Sequence, residues 1–236
     1  MIRGYSPARR LRRMHDLLLA AYGPQSWWPA ETAIEVIVGA YLTQNTSWKA
    51  VERSLENLRA AEALSVAGLR SISLEALTEA IRPSGFFSRK APALKAFIAF
   101  LDREFGGALD QMAAAATEPL RAKLLKLQGV GRETADAILL YALGHAVPVA
   151  DEYLRRIAER HRLADLPLKH NRKGYEALAH LTREAFADDR AENRAQLYNE
   201  FHALTVEAGK RHCGRVAKCE GCPLATDLVH LAGSER

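Results

Sequence analysis

Apolar residues recur at three- and four-residue intervals along most of the chain, and no stretch alternates apolar and polar positions long enough to make a strand. The pattern predicts an almost wholly α-helical protein. Residues 10–22 read as a basic amphipathic helix closed by Gly23-Pro24. The segment 32–43, TAIEVIVGAYLT, is nearly continuously apolar and predicts a helix buried all round. Its polar end, Gln44-Asn45-Thr46-Ser47, is expected to terminate that helix and, through Ser47, to cap the next one, which begins at Trp48. Further helices are expected over 54–63, 73–81, 91–105 and 108–116, then from a first turn containing Pro119, and over 134–143, 152–161, 175–186 and 191–210. Arg82-Pro83-Ser84-Gly85-Phe86-Phe87 interrupts this series as a turn, by its proline and glycine.

The most informative stretch is 124–151, LLKLQGVGRETADAILLYALGHAVPVAD. Gly129-Val130-Gly131 lies between two apolar helical runs, which predicts a helix, a tight turn and a helix. Glycines at 129 and 131 permit backbone conformations closed to other residues. The N–H groups of Gly131 and Arg132 then stand at the positive end of the second helix, where a phosphate is well held. Such a hairpin grips a DNA backbone without reading bases. Val147-Pro148-Val149-Ala150 is extended by its proline, and Asp151 is placed to cap the following helix. Capping accounts poorly for Gln44 and Asn45, because paired carboxamides also hydrogen-bond base edges or enter a strand gap.

Composition adds bounds. A chain of 236 residues buries a substantial core, as one large domain or two small ones, and 48% hydrophobic residues make it globular. The net charge of +5 fits a polyanion partner and equally an ordinary basic enzyme. Arg9, Arg10, Arg12 and Arg13 are expected on a solvated helix face. With no apolar run of about eighteen residues, a soluble cytoplasmic protein with no membrane partner is expected. Cys213, Cys219 and Cys222 are the only cysteines, so they point to one local site and not to a disulfide framework.

Taken together, LQGVGRETADAIL followed by VPVAD, the LTQNT helix end, the RPSGF turn and the C-terminal cysteine cluster resemble the helix-hairpin-helix DNA glycosylases related to endonuclease III. The likeness covers most of the chain. Trp27-Trp28 before the buried helix, and Glu133 beside the Ala135 to Leu139 run, are most similar to the bacterial 3-methyladenine glycosylases of that type. The resemblance implies an all-α fold in two helical domains with a helix-hairpin-helix motif. These are a bundle over 28–142 and a second domain of 1–27 plus 143–212, with double-stranded DNA entering between them and 213–236 as a cysteine-containing tail.

Bifunctional members carry a lysine two places after the second hairpin glycine, whose amine attacks the sugar C1′. Glu133 stands there, and a carboxylate makes no imine, which implies a glycosylase without strand cleavage. Asp151 matches the catalytic aspartate. Trp27, Trp28 and Trp48 are expected to stack a cationic alkylated purine, with Lys210 a further pocket candidate. Gln44, Asn45, Gly129, Val130, Gly131, Arg132 and Thr134 are expected to contact DNA. The cysteines resemble a [4Fe–4S] loop in which Leu228 replaces the fourth thiolate. His212, Asp227, His230 or an exogenous ligand completes a cluster, a histidine completes a zinc site, or nothing binds. The expected protein is a bacterial, nucleoid-associated monomer that releases alkylated purines. A glycosylase for oxidised pyrimidines and a non-catalytic lesion binder are the alternatives.

Overall fold

A computed structural model describes residues 6–25, 27, 30–163 and 171–232. Among them are thirteen α-helices: α1 Pro7–Tyr22, α2 Ala33–Leu42, α3 Trp48–Ala60, α4 Val66–Ser71, α5 Leu74–Ala80, α6 Phe87–Phe105, α7 Leu109–Ala113, α8 Thr117–Leu124, α9 Arg132–Ala137, α10 Glu152–Arg160, α11 Arg172–Ala185, α12 Arg194–Arg211 and α13 Ala225–Ala232. No strand accompanies them among the described residues, only one isolated antiparallel bridge between Cys213 and Ala217. The fold is all-α.

Most expected helices are present with shifted ends. α4 and α13 were not expected, since six and eight residues give the helical period too few repeats to show. α6 begins at Phe87, four residues before its expected start, with Phe86 in a left-handed conformation immediately ahead of it. Ser6, Thr32, Ser65, Ser73, Asp151 and Asn171 cap their helices with side-chain oxygens, as short polar residues do. Ser47 does not. It occupies the position before α3, but its side chain makes no capping hydrogen bond.

The chain forms two compact units, residues 28–145 and residues 1–27 with 146–236. In the first, α2 packs against α3, α6 and the π-helical turn Ile138–Ala142 that continues α9. Ile37, Leu42, Phe97, Leu101, Ile138 and Leu139 form its core. In the second, α1 packs on α11 and α12, and α12 packs on α10. Leu11, Leu18, Phe186, Phe201 and Leu204 are buried there. Gly209 lets α10 approach α12 closely, because a Cβ at this position would lie 2.1 Å from Cδ1 of Tyr153.

Arg9 and Arg13 are exposed as expected, whereas Arg10 and Arg12 depart from the solvated face. Arg10 is buried, its guanidinium bonding the Asp227 carboxylate and the carbonyls of His161 and Arg162. Arg12 pairs with Asp189. These partners lie far along the chain, so local periodicity carries no sign of them.

Candidate active site

In the unit 28–145 the hairpin is built on a buried ion pair. Arg121 of α8 donates Nε and Nη2 to the two oxygens of Asp136 in α9, at 2.6 and 2.8 Å. Asp136 is only 1% exposed, so the pair fixes how the two helices cross. Gly129 adopts φ +77, which favours glycine, and a Cβ there would also press on Ala93 at 3.2 Å. Gly131 does not share this property. Its φ of −87 is ordinary extended backbone, and its lack of a side chain matters because it leaves open space before α9. Val130 is buried, and its side chain anchors the turn. Arg132 is half-buried and Glu133 exposed in the first turn of α9.

The loop after α2 is tied to this hairpin. The Gln44 amide donates to the Gly129 carbonyl and to the Thr134 hydroxyl, each at 2.9 Å. Thr134 is buried, and its hydroxyl supports Gln44. Asn45 and Ser47 are the exposed residues of the loop, with Asn45 in the left-handed region at φ 52. Beneath the loop, Lys90 is 4% exposed and donates all three ammonium protons, to the Leu42 carbonyl, the Thr46 hydroxyl and the Ser84 carbonyl, at 2.8 Å each. Burial pushes its pKa down to about 8. This one cation therefore joins the 43–47 loop to the 82–85 turn.

That turn presents a residue the sequence reading passed over. Phe86 is 57% exposed with φ 49, an uncommon conformation for a bulky side chain. The available signal was two successive phenylalanines after a glycine, of which only one can face inward at the start of a helix. Trp48 opens α3 half-buried.

In the other unit, Asp151 is buried at 6% exposure ahead of α10. Its Oδ1 accepts the Leu154 backbone N–H at 2.8 Å. Its Oδ2 faces His202 Nε2 of α12 at 3.6 Å. The Trp27 ring lies against that histidine, with centroids 5.3 Å apart and planes inclined by 57°. The structure thus brings Trp27, His202 and Asp151 together, and His202 was not anticipated. Lys210 is exposed in the last turn of α12. Trp28 lies outside the described residues.

The cysteine loop belongs to this same unit. Cys213, Cys219, Cys222, His212, Arg160 and Leu228 line one cavity of about 240 Å³. Arg160 donates to Cys213 Sγ at 3.0 Å and to the carbonyls of Gly214 and Arg215 at 2.9 Å, while Arg156 donates to the Cys213 carbonyl. Burial, followed by the neighbouring Cys219 and Cys213, pushes the Cys222 thiol up.

Asp227 is removed from the candidate ligands. Burial alone would raise its pKa, but hydrogen bonds from His161 and Arg10 outweigh this and hold the carboxyl at about 2, with both oxygens engaged. Leu228 in the cavity wall offers no donor, so a four-thiolate set for [4Fe–4S] is one ligand short. Among the described residues, no group of three or more His, Cys, Asp or Glu side chains is arranged to hold a metal ion. The residues do not fit a four-cysteine cluster, and no chemistry is routed through one. The His230 side chain lies outside what is described.

A glycine hairpin locked by an ion pair, together with a buried aspartate capping a later helix, defines a helix-hairpin-helix protein that acts on DNA. Residues 38–184 match the HhH-GPD superfamily of base excision DNA repair proteins, and the chain belongs to that superfamily as a DNA glycosylase. A Methanocaldococcus jannaschii protein named as a DNA repair glycosylase is 39% identical over 214 residues, 90% of this chain and 92% of that one. The structure of an H. pylori 3-methyladenine DNA glycosylase bound to 1,N6-ethenoadenine aligns with a TM-score of 0.73 at 29% identity, covering 88% of this chain and 98% of that one. Endonuclease III in a non-covalent DNA complex aligns with a TM-score of 0.71 at 18% identity, over 93% of this chain and 94% of its own, a likeness of fold. No described helix is long and apolar enough to cross a membrane.

Proposed function

We propose that the protein is a monofunctional glycosylase that hydrolyses the N-glycosidic bond of alkylated purines such as 3-methyladenine in duplex DNA. The observation that carries this reading is Glu133, exposed in the first turn of α9 where a bifunctional enzyme needs an amine. The likeness to the H. pylori 3-methyladenine glycosylase supports the substrate class.

The hairpin holds the strand backbone through its N–H groups and the open face at Gly131. As the C1′–N bond breaks, its electron pair leaves with the base and C1′ becomes oxocarbenium-like. The Asp151 carboxylate stabilises that charge, and water adds its oxygen to C1′ as its proton passes to that carboxylate. A cationic alkylated purine leaves readily, so an aromatic face serves it better than a general acid. Trp27 and Trp48 are half-buried and Lys210 exposed, which leaves them open to a ligand.

Base-release chromatography on N-methylated duplex DNA tests the reading. Free 3-methyladenine is expected, with no strand break before alkali and no borohydride-trapped adduct. Release of thymine glycol with spontaneous nicking would assign the protein to oxidised pyrimidines. Binding of damaged duplex without release of any base would make it a lesion binder.

The exposed Phe86 fits the task of a wedge that props open the stack when a base is extruded. Phe86→Asn is expected to lower single-turnover base release about tenfold, the worth of one stacking contact. Its melting temperature should stay level or rise, because asparagine tolerates the left-handed conformation better. Unchanged release, or release lost together with stability, contradicts the wedge.

A further inference from the structure

We propose that His202 is a positioning residue for Asp151, held in place by Trp27. The inference rests on the reading of Asp151 as the residue that drives base release. A carboxylate at 6% exposure needs hydrogen-bond donors to compensate for lost water. One oxygen of Asp151 has its donor in the Leu154 N–H, at the positive end of α10. That bond leaves the side chain free to turn Oδ2 between orientations, and His202 Nε2 is the group that faces Oδ2, from a different helix.

The His202 imidazole is 7% exposed in α12, beside the buried apolar Phe201, Ala203 and Leu204 and flanked by the buried Glu200 and Thr205. A leucine would pack there at lower desolvation cost. Trp27 lies against the ring and limits its rotation. The 3.6 Å gap is spanned by a small closing motion on substrate binding or by one bridging water. An N–H aimed at Oδ2 keeps the carboxylate pointed while C1′ becomes positive. Trp27 therefore acts on the chemistry through His202, whatever else it contacts.

Two substitutions separate a donor from a filler. His202→Phe keeps an aromatic ring against Trp27 and removes the donor, whereas His202→Gln keeps an N–H of similar reach and removes the ring. Single-turnover release from methylated duplex DNA is measured beside affinity for a duplex carrying an uncleavable abasic analogue. His202→Phe is expected to lower the release rate about tenfold to a hundredfold, the worth of one hydrogen bond to a charged group, with affinity unchanged. His202→Gln should recover most of the rate. Equal rates in the two variants, or a wild-type rate in His202→Phe, overturn the proposal.

The contact is also followed without turnover, through side-chain 15N resonances of the histidines. Asp151→Asn removes the charge and keeps a capping oxygen, so it should shift the His202 signals. If the wild-type protein releases no base from any substrate, the functional reading falls. The pairing is then decided by these spectra alone, and unshifted His202 signals overturn it.

Discussion

Asp151→Asn is expected to slow base release by about 10³-fold while leaving folding and DNA affinity intact. Asparagine caps helices as well as aspartate does, so its Oδ1 still accepts the Leu154 N–H and α10 keeps its start. What is lost is the negative charge at Oδ2, the atom no backbone group uses. An amide offers no charge to an oxocarbenium-like sugar and does not activate water. Release from methylated duplex under single-turnover conditions, affinity for an abasic-analogue duplex and thermal melting together check this. Release at the wild-type rate would reduce Asp151 to a helix cap, and a parallel fall in melting temperature would show that the cap, not the charge, was removed.

A comparison among carboxylates explains why Asp151 is the reactive one. Asp136, Asp151 and Asp227 are the three buried aspartates among the described residues. Asp136 has both oxygens on the Arg121 guanidinium, and Asp227 has both taken by Arg10 and His161. Each is neutralised by a rigid cationic partner and has little field left for a substrate. Asp151 instead meets a backbone N–H, a helix dipole and a facing imidazole, none of which is a fixed full counter-charge. Burial without a guanidinium partner is the mark of a carboxylate kept for chemistry.

The parts legible in the sequence are those whose causes are local. The hairpin follows from two glycines between apolar runs, and the Asp151 cap follows from a proline-extended segment meeting a helix. The parts that were missed depend on partners brought close by folding. Nothing near Arg10 announces Asp227, and nothing near Lys90 announces the Leu42 carbonyl. His202 looked like one polar residue on a helix because Trp27 and Asp151 meet it only in space. Thr134 and Val130 belong to the same class, because the sequence marks them as members of the hairpin and only the fold shows their side chains buried in its support.

The same hairpin yields the largest expected effect on stability. Asp136→Ala should cost about 3–5 kcal/mol, because it leaves the Arg121 guanidinium without its carboxylate in a site that is largely closed to water. For a chain of this size that corresponds to a fall in melting temperature of roughly 10 °C or more. The charge left behind is the cause, so the pair should not be additive. Asp136→Leu combined with Arg121→Met removes both charges, keeps apolar bulk between α8 and α9, and is expected to recover most of the loss. DNA affinity should follow a different order. The double variant regains stability but has exchanged a bidentate lock for packing that does not fix one crossing angle, so the turn at Gly129 and Gly131 should present its N–H groups less uniformly. Urea denaturation and abasic-analogue binding on the three proteins check both statements. A cost below about 1 kcal/mol for Asp136→Ala, the level of an exposed pair, would mean that water reaches Arg121 and that the ion pair does not hold the hairpin.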